Sequence, residues 1–177
     1  MVAGPSGVGK GSVLKQLRAR YPQLIYSVSA TTREPRPGEQ DGVDYHFVTD
    51  AQFDHLVATG GLLEWAEYAG TRYGTPRQPV MDALATGATV LLEIELSGAR
   101  QVRQTYPQAL QVFIAPPSWD ELKRRLRDRG AETQAQMDAR LAVAQAELAA
   151  RSEFDHVIVN EDLTQAVDDL VALLGND

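Results

Sequence analysis

The chain has 177 residues, 44% of them hydrophobic, and a formal net charge of −7. This length suffices for one domain with a sizeable core, while the acidic balance excludes a general affinity for nucleic acid, because binding to a phosphate backbone requires an excess of Lys and Arg. The absence of cysteine excludes disulfides and thiolate metal sites and favours a reducing, cytoplasmic location, and no run approaches the roughly 18 apolar residues of a membrane helix.

The first elements in the chain are a short strand, a glycine-rich turn and a helix. Residues 1–3 predict the strand, with only two residues between Met1 and Gly4, and such a short strand is expected to weaken a sheet. Residues 25–32 are then predicted to be extended, and the Pro- and Gly-containing stretch 33–42 is predicted to be a loop. The apolar positions of the first helix share one face: Val13, Leu14 and Leu17.

The middle of the chain alternates between strands and helices. Residues 45–48 predict a strand, and Thr49 with Gln52 has the spacing of a capping box at the start of a helix that ends at a pair of glycines. Residues 62–68 predict the next strand, and residues 76–86 the next helix. This alternation is typical of an α/β domain in which helices flank a mainly parallel sheet.

In the last part of the chain, residues 89–96 predict a buried strand that is interrupted by two acids. Ser118 and Glu121 form a second capping-box pattern ahead of an Arg-rich helix, and residues 139–150 predict a long Ala-rich helix. Residues 157–159 predict the final strand. The closing helix has apolar positions at a period near 3.6: Leu163, Val167, Leu170, Val171 and Leu174.

The glycine-rich turn has the spacing G-x-x-x-x-G-K between a strand and a helix. Such a loop directs backbone N–H groups at a phosphate chain, the helix N-terminus adds positive potential, and Lys10 is expected to reach the β- and γ-phosphates of ATP. The alternative is an ordinary turn followed by a solvated lysine. The predicted ATP-binding residues here are Gly4, Pro5, Ser6, Gly7, Val8, Gly9, Lys10, Gly11 and Ser12.

A second segment, residues 29–39, reads Ser-Ala-Thr-Thr-Arg-Glu-Pro-Arg-Pro-Gly-Glu and is followed by Gly42 and Tyr45. Arg33 and Arg36 lie three apart on a Pro-stiffened loop, so they can form a double fork for a phosphate dianion. Taken alone, the loop could instead be a basic surface loop with internal salt bridges to its own glutamates. The segment resembles the S-x-T-T-R-x-P-R-x-G-E signature of guanylate kinases.

The resemblance continues at Glu64 and at Tyr73-Gly74-Thr75, which look like the segment that reads the base in this family. A carboxylate can accept hydrogen bonds from guanine N1–H and from its 2-amino group, whereas adenine offers no matching pair of donors. Thr75 or Ser29 can bond the remaining edge. The neighbouring Trp65 is expected to lie in the core. The resemblance implies that four residues bind the acceptor phosphate: Arg33, Arg36, Tyr45 and Tyr73.

Two acids, Glu93 and Glu95, point to the same face if residues 89–96 are a strand. They resemble the acidic pair of the family, which is normally Asp-x-Asp. The resemblance implies that Glu95 faces guanine and that Glu93 faces hydrated Mg²⁺ and Lys10. The position after Lys10 is glycine rather than the usual hydroxyl ligand, so Mg²⁺ is expected near Ser12 and Glu93 through water, with no side chain assigned as a direct ligand.

The Arg-rich helix supplies further cations. Pairs such as Glu121 with Arg125 explain part of them as a solvated helix face. Arg129 and Arg140 match two arginines that hold the transferring phosphoryl group in guanylate kinases, where fixed positive charge and alignment are the main catalytic requirements. Asn160 resembles an asparagine near the ATP adenine, although an asparagine that begins a turn is the alternative.

The resemblance spans the whole chain and implies a P-loop α/β kinase with ATP + GMP = ADP + GDP as its reaction, a step in purine nucleotide recycling. The expected organisation is one domain, 1–177, with a core of about residues 1–32, 76–117 and 151–177, a GMP-binding arm at about 33–75 and a helical lid at about 118–150. The predicted catalytic residues are Lys10, Arg36, Arg129 and Arg140.

Two other functions remain open from the sequence. One is a kinase of the same scaffold with another phosphorylated acceptor, such as a ribose bisphosphate, and the other is a non-catalytic domain that binds phosphopeptides with the arginine fork. Whether dGMP replaces GMP is also open. No nucleic acid, membrane or obligate protein partner is expected, and the scattered His46, His55 and His156 are expected to be structural.

Overall fold

The computed structural model describes residues 1–68, 70–128 and 133–175. Strands, in chain order, are β1 (Val2–Ala3), β2 (Ile25–Tyr26), β3 (Ala30–Thr31), β4 (His46–Phe47), β5 (Leu62–Tyr68), β6 (Thr71–Pro76), β7 (Val90–Leu91), β8 (Val112–Ala115) and β9 (His156–Val159). Helices are α1 (Lys10–Arg20), α2 (Asp50–Ala58), α3 (Arg77–Ala85), α4 (Leu96–Thr105), α5 (Trp119–Arg127), α6 (Gln134–Ala149) and α7 (Leu163–Leu174), and a 3-10 turn spans Ala150–Glu153.

The chain forms two compact units. The first contains Met1–Pro22 and Leu110–Asp177, and its sheet has the order β1-β8-β9. Both strand pairs are parallel, which requires long crossovers, and the connections contain helices: α1 follows β1, and α5 and α6 lie between β8 and β9. The α1 positions predicted to share one face are all buried, and they accompany other fully buried side chains: Val2, Val8, Phe113, Ile114, Leu122, Leu126 and Val167.

The second unit contains Gln23–Ala109. It has a parallel β2–β7 pair and a sheet with the order β4-β3-β6-β5, in which β3 is parallel to β4 and antiparallel to β6. Ala30, Phe53 and Leu62 form a buried cluster beneath this sheet, with Val48 and Leu56 packed against it. The capping box of Thr49 and Gln52 is formed in full at the start of α2, as predicted.

The α/β class with mainly parallel strand pairing is confirmed. The extended stretch 25–32 is two strands in different sheets, and β6, α4 and β8 were not predicted. The predicted strand 89–96 is wrong beyond Leu91, because the Ala99 N–H donates to the Glu95 carbonyl and a helix begins at Leu96. Among the described residues, no helix is long and apolar enough to cross a membrane.

Candidate active site

The glycine-rich loop joins β1 to α1 in the first unit. Gly7 and Gly9 have φ angles of +86° and +91°, which residues with a Cβ rarely adopt. The same glycines also leave no room for a side chain: a Cβ on Gly7 would lie 2.8 Å from Leu126 Cδ2, and one on Gly9 would lie 2.6 Å from Asn160 Nδ2. The first turn of α1 contains no acid, so the helix end keeps the positive potential that attracts an anion.

The back of this loop is fixed by hydrogen bonds to one carbonyl. The Val8 carbonyl accepts from Asn160 Nδ2 at 2.8 Å and from Arg125 Nη1 at 3.1 Å. Arg125 Nη2 also donates to the Asn160 carbonyl at 3.2 Å. Because C=O and the following N–H point in opposite directions in a trans peptide, the Gly9 N–H is directed away from Asn160 and Arg125. That orientation suits a backbone donor for a phosphate oxygen.

Arg140 of α6 reaches the front of the loop, where its Nη2 donates to Ser6 Oγ at 2.9 Å. Arg129, which the sequence paired with it, lies outside the described residues. The other predicted ATP-binding residues differ in their exposure. Gly4 and Pro5 of the loop are buried, whereas in the first turn of α1 Lys10 is half-buried and Gly11 and Ser12 are exposed.

Two arginines of α5 behave differently from each other. Arg124 is exposed and pairs with Glu121 at 2.7 Å and with Asp128 at 3.0 Å, as expected for a solvated helix face. Arg125 also pairs with Glu121 at 2.7 Å, and hydrogen bonds from the two arginines lower the pKa of Glu121 to about 2. The sequence missed the contact of Arg125 with the loop, because the i, i+4 pairing already accounted for this residue.

In the second unit, Arg33 lies two residues beyond the end of β3. Its Nη2 contacts both carboxylate oxygens of Glu39, at 2.8 and 2.9 Å, and its Nη1 donates to the Glu34 carbonyl at 2.7 Å. The Glu39 hydrogen bond raises the pKa of Arg33. Glu39 Oε2 also accepts from the Arg36 backbone N–H at 2.7 Å, while the Arg36 side chain is exposed. Glu39 therefore fixes the loop that carries both arginines.

Two tyrosines surround the Arg33 guanidinium. Its carbon lies 5.4 Å from the centroid of the Tyr45 ring, and the Tyr45 and Tyr73 rings are 6.0 Å apart with an edge-to-face arrangement. Burial is the largest cause that raises the pKa of the Tyr45 hydroxyl, and the negative charge of Glu93 raises it further. Three of the four residues predicted to bind the acceptor phosphate thus converge.

Glu64 is a buried carboxylate on β5, with 5% of its surface exposed. It lies opposite Thr75 of β6, whose Oγ1 donates to Glu64 Oε1 at 2.5 Å. Burial raises the pKa of Glu64, the hydrogen bonds of Thr75 lower it, and the charge of Glu95 raises it further. The prediction that Trp65 lies in the core is wrong: 38% of it is exposed, because successive strand residues point to opposite faces and Glu64 takes the inward one.

The other predicted residues of this unit are near the same strands. Ser29 is half-buried just before β3, and its carbonyl accepts from the His46 N–H at 2.9 Å. Glu93 and Glu95 are both exposed, and Glu95 is the N-cap residue of α4 rather than part of a strand. Within the described parts of the chain, no group of three or more His, Cys, Asp or Glu side chains could hold a metal ion.

The glycine-rich loop between a parallel strand and a helix is the phosphate-binding arrangement of P-loop α/β proteins. The family model "Guanylate kinase" matches residues 1–177. Guanylate kinases of Thermobifida fusca and Synechococcus sp. (strain JA-3-3Ab) are 58% and 56% identical to it, covering 99% and 98% of this chain and 89% and 80% of the relatives. The crystal structure of guanylate kinase from Anaplasma phagocytophilum has a TM-score of 0.78 and 34% identity, over 98% of this chain and 81% of that one. The chain therefore belongs to the guanylate kinase family.

Proposed function

We propose that this chain transfers the γ-phosphoryl group of ATP to GMP, giving ADP and GDP. Membership of the family supports the reaction, and one structural observation carries the choice of acceptor. The buried Glu64 carboxylate, hydrogen-bonded to Thr75, lies in the same compact unit as the Arg33, Tyr45 and Tyr73 group. The Glu64 carboxylate suits the donors of a guanine base. The Arg33 cation and the two tyrosine hydroxyls suit a single phosphate group.

Guanine binding in this proposal uses the acceptor capacity of Glu64. An ionised carboxylate has about four lone-pair sites, so Oε1 can accept from Thr75 while the carboxylate also accepts from guanine N1–H and the 2-amino group. Adenine offers this carboxylate no matching pair of donors, so the lone pairs not bonded to Thr75 would stay buried and unpaired, which strongly disfavours adenine binding. Ser29 is assigned as a donor to the remaining acceptor edge of the base, Thr75 acts on the base through Glu64, and Glu95, which can only accept, is assigned to the side of the 2-amino group.

The acceptor phosphate is assigned to Arg33, Arg36, Tyr45 and Tyr73. Glu39 and the Glu34 carbonyl occupy part of the Arg33 guanidinium, which orients it before GMP binds. The guanidinium has five N–H donors, so part of its edge stays available to a phosphate oxygen. Arg36 supplies a second cation from an exposed position on the same loop.

The donor is assigned to the first unit. Loop residues 4–12 would hold the ATP phosphates, with Lys10 and Arg140 neutralising the charge that develops on the transferring group. Asn160 fixes the Val8 carbonyl and, by family resemblance, lies near the adenine. Arg129, the lid of about residues 118–150 and the core and GMP-binding divisions stay predictions of the resemblance. A cytoplasmic location stays a prediction of the cysteine-free composition. No covalent intermediate is proposed, because no activated nucleophile is assigned.

Mg²⁺ is proposed as the cofactor on the chemistry of its donor set. Ser12 in the first unit and Glu93 in the second each carry an exposed oxygen that can accept a hydrogen bond from water bound to Mg²⁺, and neither is assigned as a direct ligand. Mg²⁺ usually keeps several waters and binds through one or two carboxylates together with substrate phosphates, so a small protein contribution is compatible with it. When bound with ATP, it would neutralise charge on the phosphate oxygens.

The proposal is tested by a coupled assay of ADP release with a panel of acceptors. GMP is expected to give the highest kcat/KM, ahead of AMP, UMP and a ribose bisphosphate, and dGMP is included to define the role of the ribose hydroxyl. A higher kcat/KM with the ribose bisphosphate would favour the other kinase activity. Calorimetry with ATP addresses the non-catalytic alternative, which requires that ATP fails to bind.

A further inference from the structure

The Glu64 carboxylate lies against the first turn of α4, at a position where only a glycine leaves room for it. An ideal Cβ on Gly98 would lie 2.1 Å from Glu64 Oε2, 2.8 Å from its Cδ and 3.3 Å from its Cγ. Gly98 does not have a positive φ angle, so its backbone would accept another residue. The missing Cβ, rather than the backbone conformation, is therefore what this position provides to Glu64.

The same helix also holds the backbone next to Glu64. Gln101 lies about one turn beyond Gly98, and its side-chain amide bonds both polar groups of Trp65: Oε1 accepts from the Trp65 N–H at 3.1 Å, and Nε2 donates to the Trp65 carbonyl at 2.7 Å. β5 is an end strand of its sheet, so Gln101 satisfies groups that no further strand reaches. The segment that carries Glu64 is thus attached to α4.

We propose that Gly98 and Gln101 are positioning residues that set the place of the Glu64 carboxylate and thereby the selectivity for the guanine base. The inference rests on the proposed function and extends it to residues that do not touch the acceptor. Thr75 fixes Oε1 from β6, and the close approach of Gly98 allows Oε2 to lie against α4. Two sides of the carboxylate are then defined by different elements, so its remaining lone pairs face a fixed direction.

An alanine at position 98 would displace the carboxylate rather than the fold. Glu64 is the flexible partner in the contact, and alanine favours a helix more than glycine does. The displaced carboxylate would lose the Thr75 hydrogen bond and its alignment with guanine. Since hydrogen bonds to charged groups are the strong ones, the Gly98→Ala variant is expected to raise the KM for GMP roughly 10- to 100-fold, with the KM for ATP unchanged.

Selectivity provides a readout that a general loss of stability would not move. IMP lacks the 2-amino group of guanine, so a well-placed Glu64 gains one donor more from GMP than from IMP. A displaced carboxylate loses this advantage, and the ratio of kcat/KM for GMP to that for IMP is expected to fall about tenfold in Gly98→Ala. Gln101→Ala is expected to shift the ratio in the same direction by a smaller factor, because Thr75 still holds Oε1.

The experiment measures KM for GMP and ATP, the GMP/IMP ratio and the thermal midpoint in the full chain. Ser97→Ala is the control for an alanine in the first turn of α4, since it places the same side chain at the exposed neighbouring position and is expected to change none of these values. Gly98→Ala combined with Glu64→Asp is expected to lose less activity than the product of the single losses, because the shorter acid withdraws from the added methyl group.

The inference would be overturned if a folded Gly98→Ala protein kept both the wild-type KM for GMP and the wild-type ratio of kcat/KM for GMP to that for IMP. The proposed function would then remain intact. Should Gly98→Ala fail to fold, an unchanged ratio in Gln101→Ala would overturn it equally. A wild-type chain that does not phosphorylate GMP would overturn the proposed function, and this inference with it.

Discussion

The Thr75 hydroxyl donates a 2.5 Å hydrogen bond to Glu64 Oε1 across two antiparallel strands. A buried carboxylate thus has one fixed partner, and the charge of Glu95 and its own burial both oppose its ionisation. The arrangement is unfavourable for an isolated charge and becomes favourable when a ligand supplies donors. The chemistry of Glu64 accordingly leads to two pH-dependent predictions.

GMP affinity is expected to depend on the ionisation of Glu64, because only the carboxylate accepts both donors of guanine. As the pH falls, affinity should decrease through a pKa raised above the ordinary value of 4.5. Calorimetric measurement of the Kd across pH provides the test. Glu64→Gln is the reference, since it retains the titration of the GMP phosphate, with a second pKa near 6, and lacks that of residue 64. Parallel profiles for the two proteins would contradict the role of Glu64.

The stability of the ligand-free chain should respond to pH in the opposite sense. A pKa that is higher in the folded state means that the folded chain binds more protons than the unfolded one. The Glu64 contribution to the free energy of unfolding therefore falls as the pH rises above 4.5. Glu64→Gln is expected to be the more stable protein near pH 7 and to lose this advantage in acid. Urea denaturation at pH 7 and at a pH below 4.5 measures the difference in free energy of unfolding between the two proteins. A difference that is the same at both pH values would refute the prediction.

Arg33→Lys is expected to raise the KM for GMP roughly 10- to 100-fold, because an ammonium group cannot reproduce the planar fork that Glu39 orients. The KM for ATP should not change. Arg20→Lys is the matched control: it alters an exposed pair with Asp168 in the other unit and should leave both constants at wild-type values. Wild-type GMP kinetics in Arg33→Lys would exclude this residue as a phosphate ligand.

Lys10→Ala is expected to lower kcat on the order of 10³-fold while GMP binding stays largely intact, because the lysine is assigned to the donor phosphates. Steady-state kinetics give kcat, and calorimetry gives the Kd for GMP. Lys15→Ala, an exposed lysine of the same helix, controls for the loss of a positive charge from α1. Unchanged turnover in Lys10→Ala would remove its catalytic role.

Arg140→Ala is expected to lower kcat roughly 10²- to 10³-fold, because a fixed cation near the transferring group is lost. Arg140 contacts Ser6 of the loop, whereas Arg124 of α5 makes exposed ion pairs with Glu121 and Asp128. Arg124→Ala is therefore the control and should retain wild-type turnover. Equal effects of the two substitutions on kcat would indicate a general electrostatic influence rather than a specific role for Arg140.

Features that depend on a few neighbouring residues could be predicted from the sequence. The Thr49–Gln52 capping box and the buried face of α1 follow from residue spacings within one or two helical turns. Strand β5 was likewise predicted from a short local segment of the sequence. Glu64 and Arg33 were assigned by motif, and the structure places both with partners in one unit. The start of α4 was missed, because the apolar run 90–96 satisfies a strand pattern as well as a strand end followed by a helix N-terminus.

The sequence by itself determined the glycine-rich loop between a strand and a helix, and the family, because each depends on residue types at fixed short spacings. Only the tertiary structure decided which distant groups meet: Arg125 at the Val8 carbonyl, and Gly98 and Gln101 beside the Glu64 segment. These contacts join residues more than 30 positions apart, and the packing of strands against helices sets them. No local pattern of hydrophobicity or charge encodes such an approach, since a glycine in a helix looks the same whether a carboxylate lies beside it or not.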